Sequence, residues 1–270
     1  METNTMLSLD VITLGAPEVE AARDFYAEVL SPAVADHGQW VDLDLQGTGH
    51  LGLSDAADLA AEAVAEDAPS GFRGFIVSYV LKQPSEVAAV VAAAGEHGAT
   101  VRKPAKKAMF GAFSGAFEAP DGSLWKVSAP TKKDTGPAEE PPVPTETAAL
   151  LGVDEPKRSK VFYEALGMTV DRDYGDQYVD FGPLAGSCRL GLMKRGALAR
   201  DVGVDADGEG FPGAVFNRTA DSRAEVDVLM DRAANAGGRI TSPATAQEWG
   251  GYSGHFTDPD GFRWKVACAR

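Results

Sequence analysis

Cysteine, histidine and long apolar runs are all scarce in this chain of 270 residues, and each scarcity excludes a class of protein. The 2 cysteines are too few for a disulfide framework, and their spacing fits no metal site, so we expect Cys188 and Cys268 to be buried free thiols. No apolar run approaches the roughly 18 residues that a membrane-spanning helix needs, and the N-terminal residues lack the pattern of a secretory signal. We therefore expect a cytoplasmic protein.

Basic residues are in the minority. The chain has 25 Lys+Arg against 40 Asp+Glu, which gives a net charge of −15. Because such a surface repels phosphate groups and anionic lipid, we expect neither nucleic acid nor a membrane as a partner. The hydrophobic fraction of 44% and the charged fraction of 24% are those of an ordinary globular protein, and the length suits two domains of roughly 130 residues.

The two halves of the chain have similar sequences, so the chain contains an internal repeat. Residues 110–127 read FGAFSGAFEAPDGSLWKV and residues 249–266 read WGGYSGHFTDPDGFRWKV, with ten of 18 positions identical at an offset of 139. A second pair of similar segments begins at Val11 and Ala148. A Pro-rich segment separates the two copies, so we predict a first domain over 5–130, a linker over 131–145 and a second domain over 146–270.

Each half shows the same order of predicted elements, twice over. A β-rich segment is followed by a helix with apolar residues at helical spacing, and then by three short segments with the alternation of strands. The sequence therefore predicts an α+β fold made of four βαβββ modules.

Two motifs resemble the vicinal oxygen chelate superfamily, which includes glyoxalase I, extradiol dioxygenases and bleomycin-resistance proteins. One is the FY pair in the first helix of each half, Phe25-Tyr26 and Phe162-Tyr163; the other is the run WGGYSGHFTDPDG before the last strand. The resemblance implies that modules pair into curved mixed sheets with helices outside, and that each sheet encloses a cup that holds the active or binding site.

The resemblance also implies where the enzymes of that superfamily would hold a divalent metal ion: on the first strand, on the fifth strand, on a middle strand and on the last strand of each half. The matching residues here are Val11 and Ala148, Phe75 and Ala214, His50 and Arg189, and Lys126 and Lys265. An ammonium group has no free lone pair and repels a cation, and it stands on the last strand of both halves. We therefore expect no metal ion and no cofactor in the cups.

Strand alternation predicts which side chains line the cups instead. If the two last-strand lysines face inward, then Trp125 and Trp264 belong to the core. The candidate ligand-binding residues are Trp40, Asp42, Phe75, Tyr79 and Lys126 in the first half, and Tyr178, Asp180, Phe216, Arg218, His255 and Lys265 in the second.

A Gly-rich segment before each last strand adds Phe110 and Phe113, and Trp249 and Tyr252, which would either close over a ligand or cap the sheet. Other interpretations stay open for the lysines, which would instead form structural ion pairs with Asp42, with Asp180 or with a neighbouring module. We expect the acidic loops, with Glu62 among their residues, to be solvated surface.

These features favour a metal-independent protein that binds a small aromatic molecule in its cups, in a sequestering or carrier role like that of the bleomycin-resistance proteins. The acidic surface would attract a cationic ligand. One alternative is a metal-dependent lyase, isomerase or dioxygenase with an unforeseen ligand set drawn from His50, His255, Asp42 or Glu118. Another is a metal-free enzyme in which Lys126 or Lys265 is the catalytic residue. The sequence leaves open whether modules pair within or between halves, and whether the protein is a monomer or a homodimer.

Overall fold

The computed structural model describes residues 5–38, 40–64, 70–107, 113–248 and 250–269, and it confirms the α+β fold of four βαβββ modules. The first module is β1 (Val11–Ala16), α1 (Val19–Leu30), β2 (Ala33–Asp36), β3 (Trp40–Asp44) and β4 (His50–Asp55). The second is β6 (Phe75–Val80), α3 (Pro84–Glu96), β7 (Thr100–Lys107), β8 (Phe113–Glu118) and β9 (Leu124–Ala129). Between these two modules lie α2 (Ala56–Glu62) and β5 (Ser70–Gly71).

The second half repeats this order. The third module is β10 (Glu146–Val153), α4 (Pro156–Ala165), β11 (Val170–Asp173), β12 (Tyr178–Phe181) and β13 (Arg189–Lys194). The fourth is β15 (Ala214–Thr219), α6 (Arg223–Asn235), β16 (Arg239–Ala246), β17 (Tyr252–Thr257) and β18 (Arg263–Cys268). Between these two modules lie α5 (Arg195–Val202) and β14 (Gly208–Glu209), and β14 pairs with β5.

The strand order answers the question of pairing that the sequence left open. The first sheet runs β16-β17-β18-β15-β1-β4-β3-β2, and the second runs β11-β12-β13-β10-β6-β9-β8-β7. The first module therefore pairs with the fourth, through antiparallel β1 and β15, and the second pairs with the third, through antiparallel β6 and β10. Each half of the sequence contributes one module to each sheet.

The FY motif connects a helix of one module to a turn of another. In the first half, the Tyr26 hydroxyl donates to Asp121 Oδ2 at 2.6 Å, and the indole of Trp125 donates to Ser123 Oγ at 2.9 Å. In the second half, the Tyr163 hydroxyl donates to Asp258 Oδ2 at 2.6 Å. Buried polar groups need such partners, so the motif fixes the helix against the turn before β9 or β18.

The hydrophobic core is continuous between the two sheets. It contains Trp125 and Trp264, both fully buried as predicted, and apolar residues from α1, α3, α4 and α6. Cys188 and Cys268 are buried free thiols, which confirms that expectation. No helix in the described ranges has both the length and the apolar character to cross a bilayer.

Candidate functional site

The face of each sheet that points away from the main core carries part of the predicted site, including both last-strand lysines. In the register of the first sheet, one row across four strands consists of His50, Val11, Asn217 and Lys265; we call this face the first cup. The equivalent row of the second sheet consists of Arg189, Ala148, Ser78 and Lys126; we call that face the second cup.

The predicted facing of strands β6 and β15 is wrong by one residue. Phe75, Tyr79 and Phe216 are at most 1% exposed and belong to the main core, while Ser78 and Val80 line the second cup. Because side chains alternate along a strand, a one-residue error moves every side chain to the opposite face. Arg218 shares that error: its guanidinium pairs with Asp10 and Glu225 instead of facing the cup row.

Two of the four residues of the Gly-rich segments can be placed. Phe113 packs against the main core, and the Tyr252 hydroxyl donates to Asp227 on α6 at 2.8 Å, so both lie on the helix side of their sheets. The remaining two, Phe110 and Trp249, lie outside the described residues.

Each last-strand lysine forms an ion pair with the helix that crosses its cup. Lys126 Nζ lies 2.5 Å from Asp201 Oδ2 on α5, and Lys265 pairs with Glu62 on α2. Glu62 is exposed, as expected of a solvated loop, but the sequence did not predict its ion pair with Lys265. Both the two lysines and the two acids stand 139 residues apart, so the same ion pair is built twice from repeated positions.

The same two helices bring apolar side chains onto the cups. On α5, Leu198, Ala199 and Val202 pack against Ile76, Ala116, Leu124, Ala148 and Leu150 of the second sheet. On α2, Leu59 and Ala63 pack with Phe211 and Val215 at the first sheet. Each connecting helix thus covers part of its cup.

A cavity of about 720 Å³ remains in the second cup beside α5. Its less polar lining includes Tyr178, Tyr174, Met193, Leu150 and Val80. Its polar lining consists of Ser78, Ser128, Lys103, Lys126, Glu146, Arg172, Arg200 and Asp201. This volume lies within the range of about 300–1,000 Å³ that is common for ligand pockets, but the wall is more polar than the predominantly apolar wall of most such pockets.

A buried ion network holds one wall of this cavity. Asp180 is fully buried and contacts Arg172 at 2.7 Å and Arg189 at 3.2 Å. It also accepts a hydrogen bond of 2.7 Å from the hydroxyl of Tyr178, and burial is the main reason that the pKa of Tyr178 is raised. Asp180 therefore positions the Tyr178 ring, which itself reaches the cavity.

The first cup combines two histidines with acidic neighbours. His50 Nδ1 lies 3.0 Å from both carboxylate oxygens of Asp42, and this hydrogen bond raises the pKa of His50. Burial lowers the pKa of His255 to about 4, and its Nε2 lies 3.7 Å from Glu62. Trp40 remains 41% exposed and stacks on His37, with 4.5 Å between ring centroids.

On the fifth strand of each half, Ser78 and Asn217 stand in the cup rows in place of the expected Phe75 and Ala214, and neither row fits a divalent ion. The row of the second cup contains the hydroxyl of Ser78, the methyl group of Ala148 and the cationic groups of Arg189 and Lys126. The row of the first cup contains one imidazole, one amide, one isopropyl group and one ammonium, from His50, Asn217, Val11 and Lys265. Divalent ions need several imidazole, carboxylate or thiolate donors. Over the described ranges, no three His, Cys, Asp or Glu side chains form a group that could hold a metal ion.

Sequence reasoning missed the acidic partners and most of the cavity lining. Asp201, Tyr174, Glu146, Arg172 and Lys103 were not candidates, because their segments were not placed over the cup. One signal was available for Asp201: the offset of 139 that relates the two lysines also relates Glu62 to Asp201.

Comparisons with known proteins agree with this architecture. The profile of the Glyoxalase/Bleomycin resistance protein/Dioxygenase superfamily matches residues 8–127 and 147–266. A mutant of glyoxalase I from Zea mays is similar in structure, with a TM-score of 0.65 and 16% identity over 98% of this chain and 94% of that chain. A putative dioxygenase from Bacillus subtilis subsp. subtilis str. 168 has a TM-score of 0.62 and 15% identity over 98% and 86% of the two chains. At these identities the likeness concerns the fold. No curated protein sequence matches the chain significantly.

Proposed function

The chain belongs to the Glyoxalase/Bleomycin resistance protein/Dioxygenase superfamily, and from that premise we propose that it binds a small aromatic organic molecule in the second cup, without a metal ion, in a sequestering or carrier role. The observation that carries the proposal is the cavity of about 720 Å³ beside α5, with Tyr178 and Tyr174 at one side and Lys126 at the position of the expected metal-binding acid.

The wall of this cavity suits a planar ring. The rings of Tyr174 and Tyr178 lie 6.4 Å apart and are inclined by 33°, and Met193 and Leu150 provide further apolar surface. Aromatic rings pair in offset or edge-to-face arrangements at about 4.5–7 Å between centroids, so either tyrosine can pair with the ring of a ligand. Ser78 and Ser128 supply hydroxyl groups that can orient a polar substituent.

The composition of the cup favours binding over the two enzymatic alternatives. A metal-dependent lyase, isomerase or dioxygenase needs donors that the row of Arg189, Ala148, Ser78 and Lys126 does not supply. A lysine nucleophile needs a free lone pair on its nitrogen, and the Lys126 ammonium lies in an ion pair with Asp201. Lys265 is paired in the same manner with Glu62.

The test is a ligand-observed NMR screen of aromatic fragments against the whole protein and two tryptophan variants. Ser78→Trp fills the floor of the second cup, while Ala89→Trp places the same side chain on the exposed outer surface of α3. We expect a subset of fragments to bind the unchanged protein and the Ala89→Trp variant, and to lose binding to Ser78→Trp. We also expect that binding is the same with and without EDTA.

Two results would contradict the proposal. One is a screen in which no aromatic fragment binds the unchanged protein. The other is binding that persists in Ser78→Trp or disappears with EDTA, since the first would place the site elsewhere and the second would require a metal ion.

A further inference from the structure

The charge of the second cup is opposite to that of the whole protein. The chain carries a net charge of −15, but the cavity lining has four cationic side chains, Lys103, Lys126, Arg172 and Arg200, against two acidic ones, Glu146 and Asp201. A cavity of one sign attracts ligands of the other sign, because its walls concentrate the field. The cationic ligand suggested by the overall charge is therefore disfavoured at this site.

Only part of this positive charge is neutralised. Arg172 pairs with Asp180 at 2.7 Å, and Glu146 pairs with Arg189 at 2.7 Å. Lys103 donates only to backbone oxygens of α5, at 2.5 Å from that of Arg200 and 2.8 Å from that of Asp201. Within the described residues, Lys103 and Arg200 have no carboxylate partner, so two cations at the cavity stay uncompensated.

Asp201 supplies the carboxylate that pairs with Lys126 at the cavity. Its carboxylate reaches Lys126 from the last turn of α5, a position at which the helix dipole disfavours negative charge. Lys126 and Asp201 keep 25% and 33% of their side-chain surface exposed, so a ligand can approach the pair. The equivalent pair of Lys265 and Glu62 repeats this arrangement with a different acid, so a carboxylate lies beside the last-strand lysine in both cups.

We propose that the second cup selects aromatic molecules that carry an anionic group, and that this group takes the place of the Asp201 carboxylate on the Lys126 ammonium. The inference rests on the proposed function and adds the chemical class of the ligand. Arg200 and Lys103 lie on the same cavity and supply the charge that attracts the anion.

The experiment compares three ligands with one ring system by titration calorimetry: 2-naphthoate, 2-naphthamide and 2-naphthylmethylamine, which are anionic, neutral and cationic at pH 7. We expect 2-naphthoate to bind about tenfold more tightly than 2-naphthamide, because hydrogen bonds to charged groups are stronger than those between neutral groups. The amine should bind most weakly. Ser78→Trp should abolish binding of all three, which assigns the signal to the cup.

Three further variants separate displacement of Asp201 from a general effect of charge. Asp201→Asn should strengthen 2-naphthoate binding by about threefold to tenfold and leave 2-naphthamide unchanged, since the competing carboxylate is gone. Asp205→Asn removes the same charge at an exposed position of the adjacent loop and should have little effect. Lys126→Met should remove the preference for 2-naphthoate over 2-naphthamide.

The outcomes that overturn the inference differ from those that overturn the proposed function. Equal affinities for the three ligands, or equal effects of Asp201→Asn and Asp205→Asn, would refute the anionic class while leaving aromatic binding intact. Failure of all three ligands to bind, together with failure of the fragment screen, would refute the proposed function itself.

Discussion

The buried carboxyl of Asp258 gives the protein a pH dependence whose sign and size can be worked out. Asp258 is 3% exposed, and burial raises its pKa from the ordinary 3.8 to about 7, against the opposing effect of hydrogen bonds from Tyr163 and the backbone. The folded state therefore holds the proton more tightly than the unfolded chain. This contribution to stability is fully present below about pH 4 and is lost as the pH rises to about 7.

Each pKa unit corresponds to about 1.4 kcal/mol, so the change from 3.8 to about 7 amounts to about 4 kcal/mol at most. Asp258→Asn keeps the shape of the side chain and removes its titration. We expect the free energy of unfolding of the unchanged protein, minus that of Asp258→Asn, to fall by up to that amount between pH 4 and pH 7.

The assay is urea unfolding of both proteins at pH 4, 5, 6 and 7, with Asp205→Asn as a control at an exposed position. His255, whose pKa is lowered to about 4, acts in the opposite direction, because its contribution is lost as the pH falls from about 6.5. It is present in both proteins and cancels in the difference. A difference that stays constant from pH 4 to pH 7 would show that the Asp258 carboxyl is not held protonated by burial.

Two further predictions concern how the modules fit together. Gly49→Ala should lower the free energy of unfolding in urea by about 1–3 kcal/mol more than Gly47→Ala does. Both glycines have a positive φ, but a Cβ at Gly49 would lie 2.8 Å from the backbone nitrogen of Cys188, whereas a Cβ at Gly47 has free space. Equal losses of stability in the two variants would refute the effect of that contact. Residues 1–130 expressed alone should form a dimer in light scattering, because β1 and β6 lose their partners β15 and β10 and a second copy can supply equivalent strands. A folded monomer would refute the expected dimer and would show that β1 and β6 pair within one half.

Local patterns predicted much of this molecule. The repeat at an offset of 139 and the FY motif led to the four βαβββ modules and the family, both of which are confirmed. Trp125 and Trp264 were assigned to the core because they alternate with the lysines along β9 and β18, whose burial alternates in the same way. Alternation is informative on such strands because one face is apolar and the other is not.

The same reasoning failed on β6 because both of its faces are buried. Its sequence FIVSYV has burial on five of six residues, so polarity does not distinguish the two faces, and the aromatic residues were assigned to the cup. Ser78, the most polar side chain of that strand, lines the cavity together with Val80. Pairing between the halves could not be predicted from the sequence for a related reason. The strands β1, β6, β10 and β15 are the first strands of the four modules and are similar, so β1 could pair with β6 as well as with β15.

The interleaving of the halves has a consequence for the two lysines. Lys126 belongs to the second module and Asp201 follows the third, whereas Lys265 belongs to the fourth module and Glu62 follows the first. Each ion pair therefore joins the two halves of the chain, and neither half contains a complete cup. Substitutions in one cup can then accumulate without altering the other cup, because each cup is made from a different combination of modules.

The two cups of this chain differ in this way. The second cup has a cationic wall with Arg172, Arg200 and Lys103, while the first cup has His50 and His255 beside acidic groups. We therefore expect the two cups to differ in the ligands that they accept, although the two halves of the chain repeat one another.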